Sequence, residues 1–352
     1  MTTTTTAPDR PRTRPVGRRR RARSRWLALA AGLVALAVLA VLSVAVGSRH
    51  VPLDTVRDAL AAFDATLGDH LIVRELRIPR TLLGVLVGAA LGVAGAVMQA
   101  VTRNPLAEPG LLGVNAGASV AVVVAIAWFG VTTPAGYLWF ALAGAAGASV
   151  LVFGLGGAFG TGSDPVRLVL AGAALSVVFG AFTHAVTISY PDVFASFRFW
   201  TVGSLEGRGW AVLLPTAVVV GAGLVLAQSL SGALDVTSLG ADLSRAVGAS
   251  ARRTWVLGMV AVVLLAGGAT AAAGPIAFVG LAAPHVARLV VGPAHRWIVA
   301  FSGLLGALVL LASDVVGRVV AFPSEVQTGI VSALVGGPLF VALVRRRRIA
   351  QL

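Results

Sequence analysis

Residues 77–118 read RIPRTLLGVLVGAALGVAGAVMQAVTRNPLAEPGLLGVNAGA, and this stretch decides the fold. Residues 81–101 are 21 consecutive positions without a charge. As a helix they are long enough to cross a hydrocarbon core of roughly 30 Å. Gly84, Gly88 and Gly92 recur at every fourth position. They leave one face nearly bare, so that a second helix can approach closely. Arg103-Asn104-Pro105 and Glu108-Pro109-Gly110 then cluster charge, amide and proline. That composition predicts a turn at a water boundary, with the next span starting near Gly113.

Composition extends this reading to the whole chain. Of 352 residues 57% are apolar and 12% charged, which places the protein among integral membrane proteins as one polytopic domain. Net charge is +14, and residues 1–25 with Arg345, Arg346, Arg347 and Arg348 supply +12 of it. Charge that flanks apolar spans points to retention on the cytoplasmic side, not to nucleic acid. No cysteine is present, which excludes disulfides and thiolate metal sites. All 28 basic residues are arginine, so no phosphate-binding loop of the lysine-bearing type exists in this chain. Any ATP that drives it is bound by another subunit.

The pattern divides the chain into a disordered basic tail (1–25), one membrane domain (26–345) and a short basic tail (346–352). Spans are predicted at 26–46, 81–101, 113–131, 135–159, 168–188, 210–230, 254–273, 276–291, 298–317 and 326–344. The eighth has only 13 residues before Arg288 and contains Pro284, so it reads as short and interrupted. Ten spans put both termini on one side, the cytoplasm. Spans two to five and seven to ten each open on an arginine pair and carry a proline break, which suggests an inverted repeat. Residues 51–76 read as an external loop with one amphipathic helix.

The opening stretch resembles the signature of FecCD-type permeases, the membrane subunits of type II ABC importers for ferric siderophores, haem and cobalamin. The resemblance returns in LGADLSRAVG (239–248), GPIAFVGLAAPH (274–285) and GGPLF (336–340). It implies an all-α permease that catalyses no reaction, holds no cofactor and works with ATP-hydrolysing ABC subunits. It further implies a second permease chain, identical or not, and an extracytoplasmic substrate-binding protein, all at the bacterial plasma membrane. Ferric siderophore is the cargo so implied, with cobalamin or haem as alternatives. In the family, arginines matching Arg77, Arg80 and Arg318 face the external surface where the binding protein docks. Leu239, Gly240, Asp242, Arg245 and Gly248 match the helix that couples to the ATPase, although the usual acidic position holds Ala241. Asn104 and Pro105 fall at the hinge. Pro165 and Val166 stand at the internal gate, where a cobalamin relative has small hydroxyl residues, and Gln327 replaces a family proline.

Other residues carry less. Asp314 and Arg318 stand one helical turn apart and share a face. The five histidines lie far apart without carboxylates at ligand spacing, so no metal centre is expected. His184 reads as hydrogen-bonded to a neighbouring helix, as does Gln99. An ion-coupled secondary transporter is the rival reading, and the missing mid-span carboxylates count against it. A membrane scaffold without transport is disfavoured by the polar hinge and the 239–248 stretch.

Overall fold

The computed structural model describes residues 16–49, 51–156, 165–238 and 250–345. Among these every element is helical: α1 (Val16–Ala45), α2 (Leu53–Ala61), α3 (Gly68–Leu71), α4 (Ile78–Thr102), α5 (Val114–Phe129), α6 (Pro134–Leu155), α7 (Pro165–Ser189) and α8 (Pro191–Thr201). Then follow α9 (Trp210–Ser229), α10 (Ser231–Ser238), α11 (Ala251–Val262), α12 (Gly268–Ala273), α13 (Val279–Val291), α14 (His295–Val320) and α15 (Thr328–Arg345).

Seven helical runs are long and apolar enough to cross a membrane: Arg23–Ala45, Gly68–Thr102, Pro134–Leu155, Val166–Ser189, Trp210–Ser229, Ala251–Ala273 and His295–Val320. Three shorter apolar helices, Val114–Phe129, Val279–Val291 and Thr328–Ala342, occupy the places of the remaining expected spans. The chain is thus an all-α polytopic membrane protein. Its core is α4, flanked by α14, α13, α9 and α11, with 78% of its apolar window buried. α1 and α7 lie outside, 6% and 11% buried, so their apolar side chains face lipid or another chain.

Three expectations need correction. First, α1 is already helical at Val16, inside the stretch read as a disordered tail. Arginine is a good helix former, and no proline in residues 16–25 interrupts the run. Second, the second span does not begin at Thr81. A π turn, Ile72–Arg77, joins α3 to α4 in one continuous run, so Arg77 and Arg80 sit within a helix and not ahead of it.

Third, the segment after α4 is more than a turn at the helix end, because it packs back along α4. Arg103, at φ +50°, ends α4. The chain then folds back, so that the Glu108 carboxylate accepts the backbone N–H of Phe278. Pro109 Cδ lies 3.5 Å from where a Cβ on Gly280 would stand. Gly280 in turn packs on the backbone of Leu91 and Gly95, halfway along α4. A carboxylate is therefore carried to mid-helix depth by a re-entrant loop, which no count of charges within spans reveals.

The two short helices that follow these segments each start from a break: α5 after the 3₁₀ turn Pro109–Leu112, and α13 after residues 274–278. Gly274 has φ +78°, and a Cβ would lie 2.0 Å from the Trp200 carbonyl oxygen, so only glycine fits.

Candidate functional site

The predicted docking arginines converge at the end of the bundle where α1 finishes and α4 starts. The last carbonyls of a helix lack intrahelical partners and carry the negative end of its dipole. Arg77 meets that need for α1, with Nη1 donating to Val44 O at 2.9 Å and Ala45 O at 2.8 Å, and Nη2 to Arg49 O. Arg318 does the same from α14: Nη1 donates to Ser43 O at 2.7 Å and Val46 O at 2.9 Å. Its Nη2 donates to Ser43 Oγ at 2.6 Å and to Asp314 Oδ2. Arg77 is 5% exposed and Arg318 2%.

Asp314 is the hub. It takes Arg80 through a fork, Nη2 to Oδ1 at 2.8 Å and Nε to both oxygens at 3.2 Å. It also pairs with Arg318 and accepts Thr328 Oγ1 at 2.9 Å. Arg80 reaches Glu325 as well, at 2.8 Å. Ser43 and Thr81 hydroxyls close the contact between α1 and α4 at 2.7 Å. Four elements, α1, α4, α14 and the start of α15, are tied together by this one buried network. Desolvation of such charges is expensive, and the bidentate geometry and multiple hydrogen bonds offset it. The three arginines are thus not free cations reaching into water: their forks are already occupied.

They line one side of a cavity of about 300 Å³, which also includes Gly47, Ser48, Arg49, Glu206 and Arg208. Arg208 was not singled out in the sequence, because an isolated arginine in a loop carries no motif. It sits between α8 and α9, 6% exposed. Burial lowers its pKa to about 10, an effect that Tyr137 only partly offsets.

The other end of the bundle frames the coupling stretch. Leu239, Gly240, Asp242, Arg245 and Gly248 lie outside the described residues, but the helix that leads into them, α10, is anchored. Asp235 of α10 accepts the His295 backbone N–H at 2.9 Å and meets its Nδ1 at 2.8 Å, capping the start of α14. Arg103 Nη2 donates to Thr237 O at 2.6 Å, tying α10 to the end of α4. At the hinge, Asn104 Oδ1 accepts the Leu106 N–H at 2.9 Å while Asn104 N donates to Gln99 O. Pro105 is half-buried, Pro165 begins α7, and the Val166 side chain is exposed. The 3₁₀ turn 109–112 packs against α7, which brings the segment after Asn104 and Pro105 to the helix that starts at Pro165.

Gln99 is fully buried, its Oε1 accepting Arg288 Nη1 at 2.7 Å, in keeping with a helix-to-helix role. His184 departs from expectation: it is exposed on the little-buried α7 instead of facing a neighbouring helix. Gln327 uses its carbonyl to start α15, accepting from Ile330 N at 3.0 Å. Among the described residues no cluster of three His, Cys, Asp or Glu could hold a metal ion.

Comparison with known proteins completes the description. The model of the FecCD transport family matches residues 35–346. Over 330 residues the chain is 44% identical to the ferric enterobactin transport system permease protein FepD of Escherichia coli, covering 92% of this chain and 96% of that one. It is 38% identical to the iron(3+)-hydroxamate import system permease protein FhuB of Bacillus subtilis over 322 residues, 92% of this chain and 84% of that one. Among solved structures it superposes on a metal-chelate type ABC transporter in an inward-facing conformation with a TM-score of 0.79. That match has 30% identity and covers 91% of this chain and 99% of the other.

Proposed function

The chain belongs to the FecCD transport family, and from that premise we propose that it is the permease subunit of a binding-protein-dependent ABC importer that moves ferric siderophores inward. The observation that carries this is the 44% identity, over nearly the full length of both chains, to a permease whose name states ferric enterobactin transport. The hydroxamate-system relative supports the siderophore class rather than cobalamin or haem. The chain catalyses no reaction and holds no cofactor; ATP is used by a partner ATPase whose two copies shift the permease between outward-open and inward-open states. The path lies between this chain and a second permease chain in the bacterial plasma membrane, with both termini in the cytoplasm.

In this reading the arginine end faces outward. Arg77, Arg80 and Arg318 build and charge the wall of the cavity on which the binding protein docks. Their burial supports a role in holding its shape, with electrostatic attraction as the longer-range contribution. Leu239, Gly240, Asp242, Arg245 and Gly248 form the contact with the ATPase, and the anchored helix before them, held at Asp235 and Thr237, supports that assignment. Asn104 and Pro105 with Pro165 and Val166 form hinge and gate. Growth of a deletion strain on a panel of single iron sources, with haem and cobalamin included, tests the cargo class. Loss of growth on one or more ferric siderophores alone is expected, and loss confined to haem or cobalamin would move the protein to another branch.

A further inference from the structure

The cavity at the arginine end is walled by five guanidinium groups, from Arg49, Arg77, Arg80, Arg208 and Arg318, against two carboxylates, from Glu206 and Glu325. Four of the five cations have partners. Arg49 pairs with Asp69 at 3.1 Å, Arg80 with Asp314 and Glu325, Arg318 with Asp314, and Arg77 spends its fork on main-chain carbonyls. Arg208 differs from them. It is more than nine-tenths buried, yet its Nε and Nη1 have no hydrogen-bond partner among the described residues. The loop that carries it is held in place: Gly207 turns at φ +67°, and Trp210 Nε1 donates to Arg74 O at 3.2 Å. At neutral pH the guanidinium stays protonated, so the fold keeps a desolvated, uncompensated cation beside a cavity with an excess of positive charge. Such an arrangement is costly unless an anion completes it.

We infer that Arg208 is the contact residue for a carboxylate, the side chain of an aspartate or glutamate that the docked binding protein inserts into this cavity. The inference rests on the docking reading above and adds the residue whose hydrogen-bonding capacity is still free. A volume of about 300 Å³ is at the low end for ligand pockets. It suits an acidic side chain with its water and not a whole ferric chelate. The fork geometry of arginine suits a carboxylate in particular.

The test uses the permease with its ATPase in nanodiscs and the purified binding protein of the same import system. Binding kinetics are measured across a salt series for wild type, Arg208→Gln and Arg208→Lys. In parallel, Leu76→Cys, an exposed position on the cavity wall, reports docking by cross-linking to a cysteine-scanned binding protein. Arg208→Gln is expected to weaken the complex about 30-fold or more, with Arg208→Lys recovering part of it. The melting temperature of Arg208→Gln should equal or exceed that of wild type, because an unpaired buried charge has been removed. Unchanged affinity with the Leu76 cross-link intact overturns the role of Arg208 and leaves docking standing. Absence of any cross-link in an otherwise wild-type background overturns the docking reading itself, and this inference with it. A fall in melting temperature in both Arg208 variants assigns the residue to structure. Normal binding with reduced uptake assigns the anion to cargo.

Discussion

Asp314 is 1% exposed and holds two guanidinium groups and a hydroxyl, from three different elements. Removing its charge leaves Arg80 and Arg318 buried without a counterion, the costly half of breaking a buried pair. Asp314→Asn is therefore expected to destabilise the detergent-solubilised protein by about 3–5 kcal/mol, read from denaturant or thermal unfolding. Glu325→Gln should cost less, because its side chain is partly exposed and Asp314 still holds Arg80. Reversing Arg80 to Glu would place a third carboxylate against these two, so poor insertion is expected and its uptake defect would say nothing about docking. The i,i+4 spacing made the Asp314–Arg318 contact legible. The Arg80–Asp314 contact spans 234 positions of sequence, and no local pattern announces it.

The crossing of α4 and α14 is where the glycine seam acts. A Cβ on Gly306 would lie 2.1 Å from the Gly88 carbonyl oxygen, and one on Gly88 would lie 2.4 Å from that of Gly306. On Gly92 it would lie 2.0 Å from Ser302 O. These clashes are with backbone, so relief requires the helices to separate. Gly88→Ala and Gly306→Ala are each expected to cost about 1–3 kcal/mol. Gly147→Ala and Gly221→Ala, where an added Cβ meets nothing within 4 Å, should be neutral or slightly stabilising. Unfolding midpoints of the four variants check this; equal gains in all four would mean that helix propensity, not close approach, governs these positions. Period-four glycines predicted a seam on α4, but not that α14 would fill it.

At the scale of the whole molecule, the predictions concern division of labour. Without a lysine anywhere in the sequence, the purified chain is expected to show no ATPase activity above background, measured as phosphate release. Appreciable turnover in a clean preparation would contradict that. Arg245→Glu should weaken assembly with the ATPase, or uncouple hydrolysis from transport, while membrane insertion is kept. Normal coupled transport by a reconstituted complex carrying it would remove residues 239–248 from the contact. The Arg245→Glu readouts are taken on the assembled transporter, because the exposed apolar surfaces of α7 and α15, including Val177, Phe182, Leu334 and Val341, are those of an incomplete assembly or a lipid boundary.

Sequence alone determined the polytopic all-helical class, the places of the ten apolar helices and the family. Each of these depends on properties summed over long windows or on residue types that are present or missing, and neither needs a partner to be known. Tertiary structure decided the rest. It extended the second span back to Gly68 and drew Glu108 to mid-helix depth. It also turned three expected surface arginines into braces between helices and left Arg208, beside the cavity, with donors that have no partner among the described residues. These features arise from contacts between residues far apart in the chain. A guanidinium reads the same in sequence whether water, a helix end or a carboxylate receives its hydrogen bonds, and only folding brings the receiver to it.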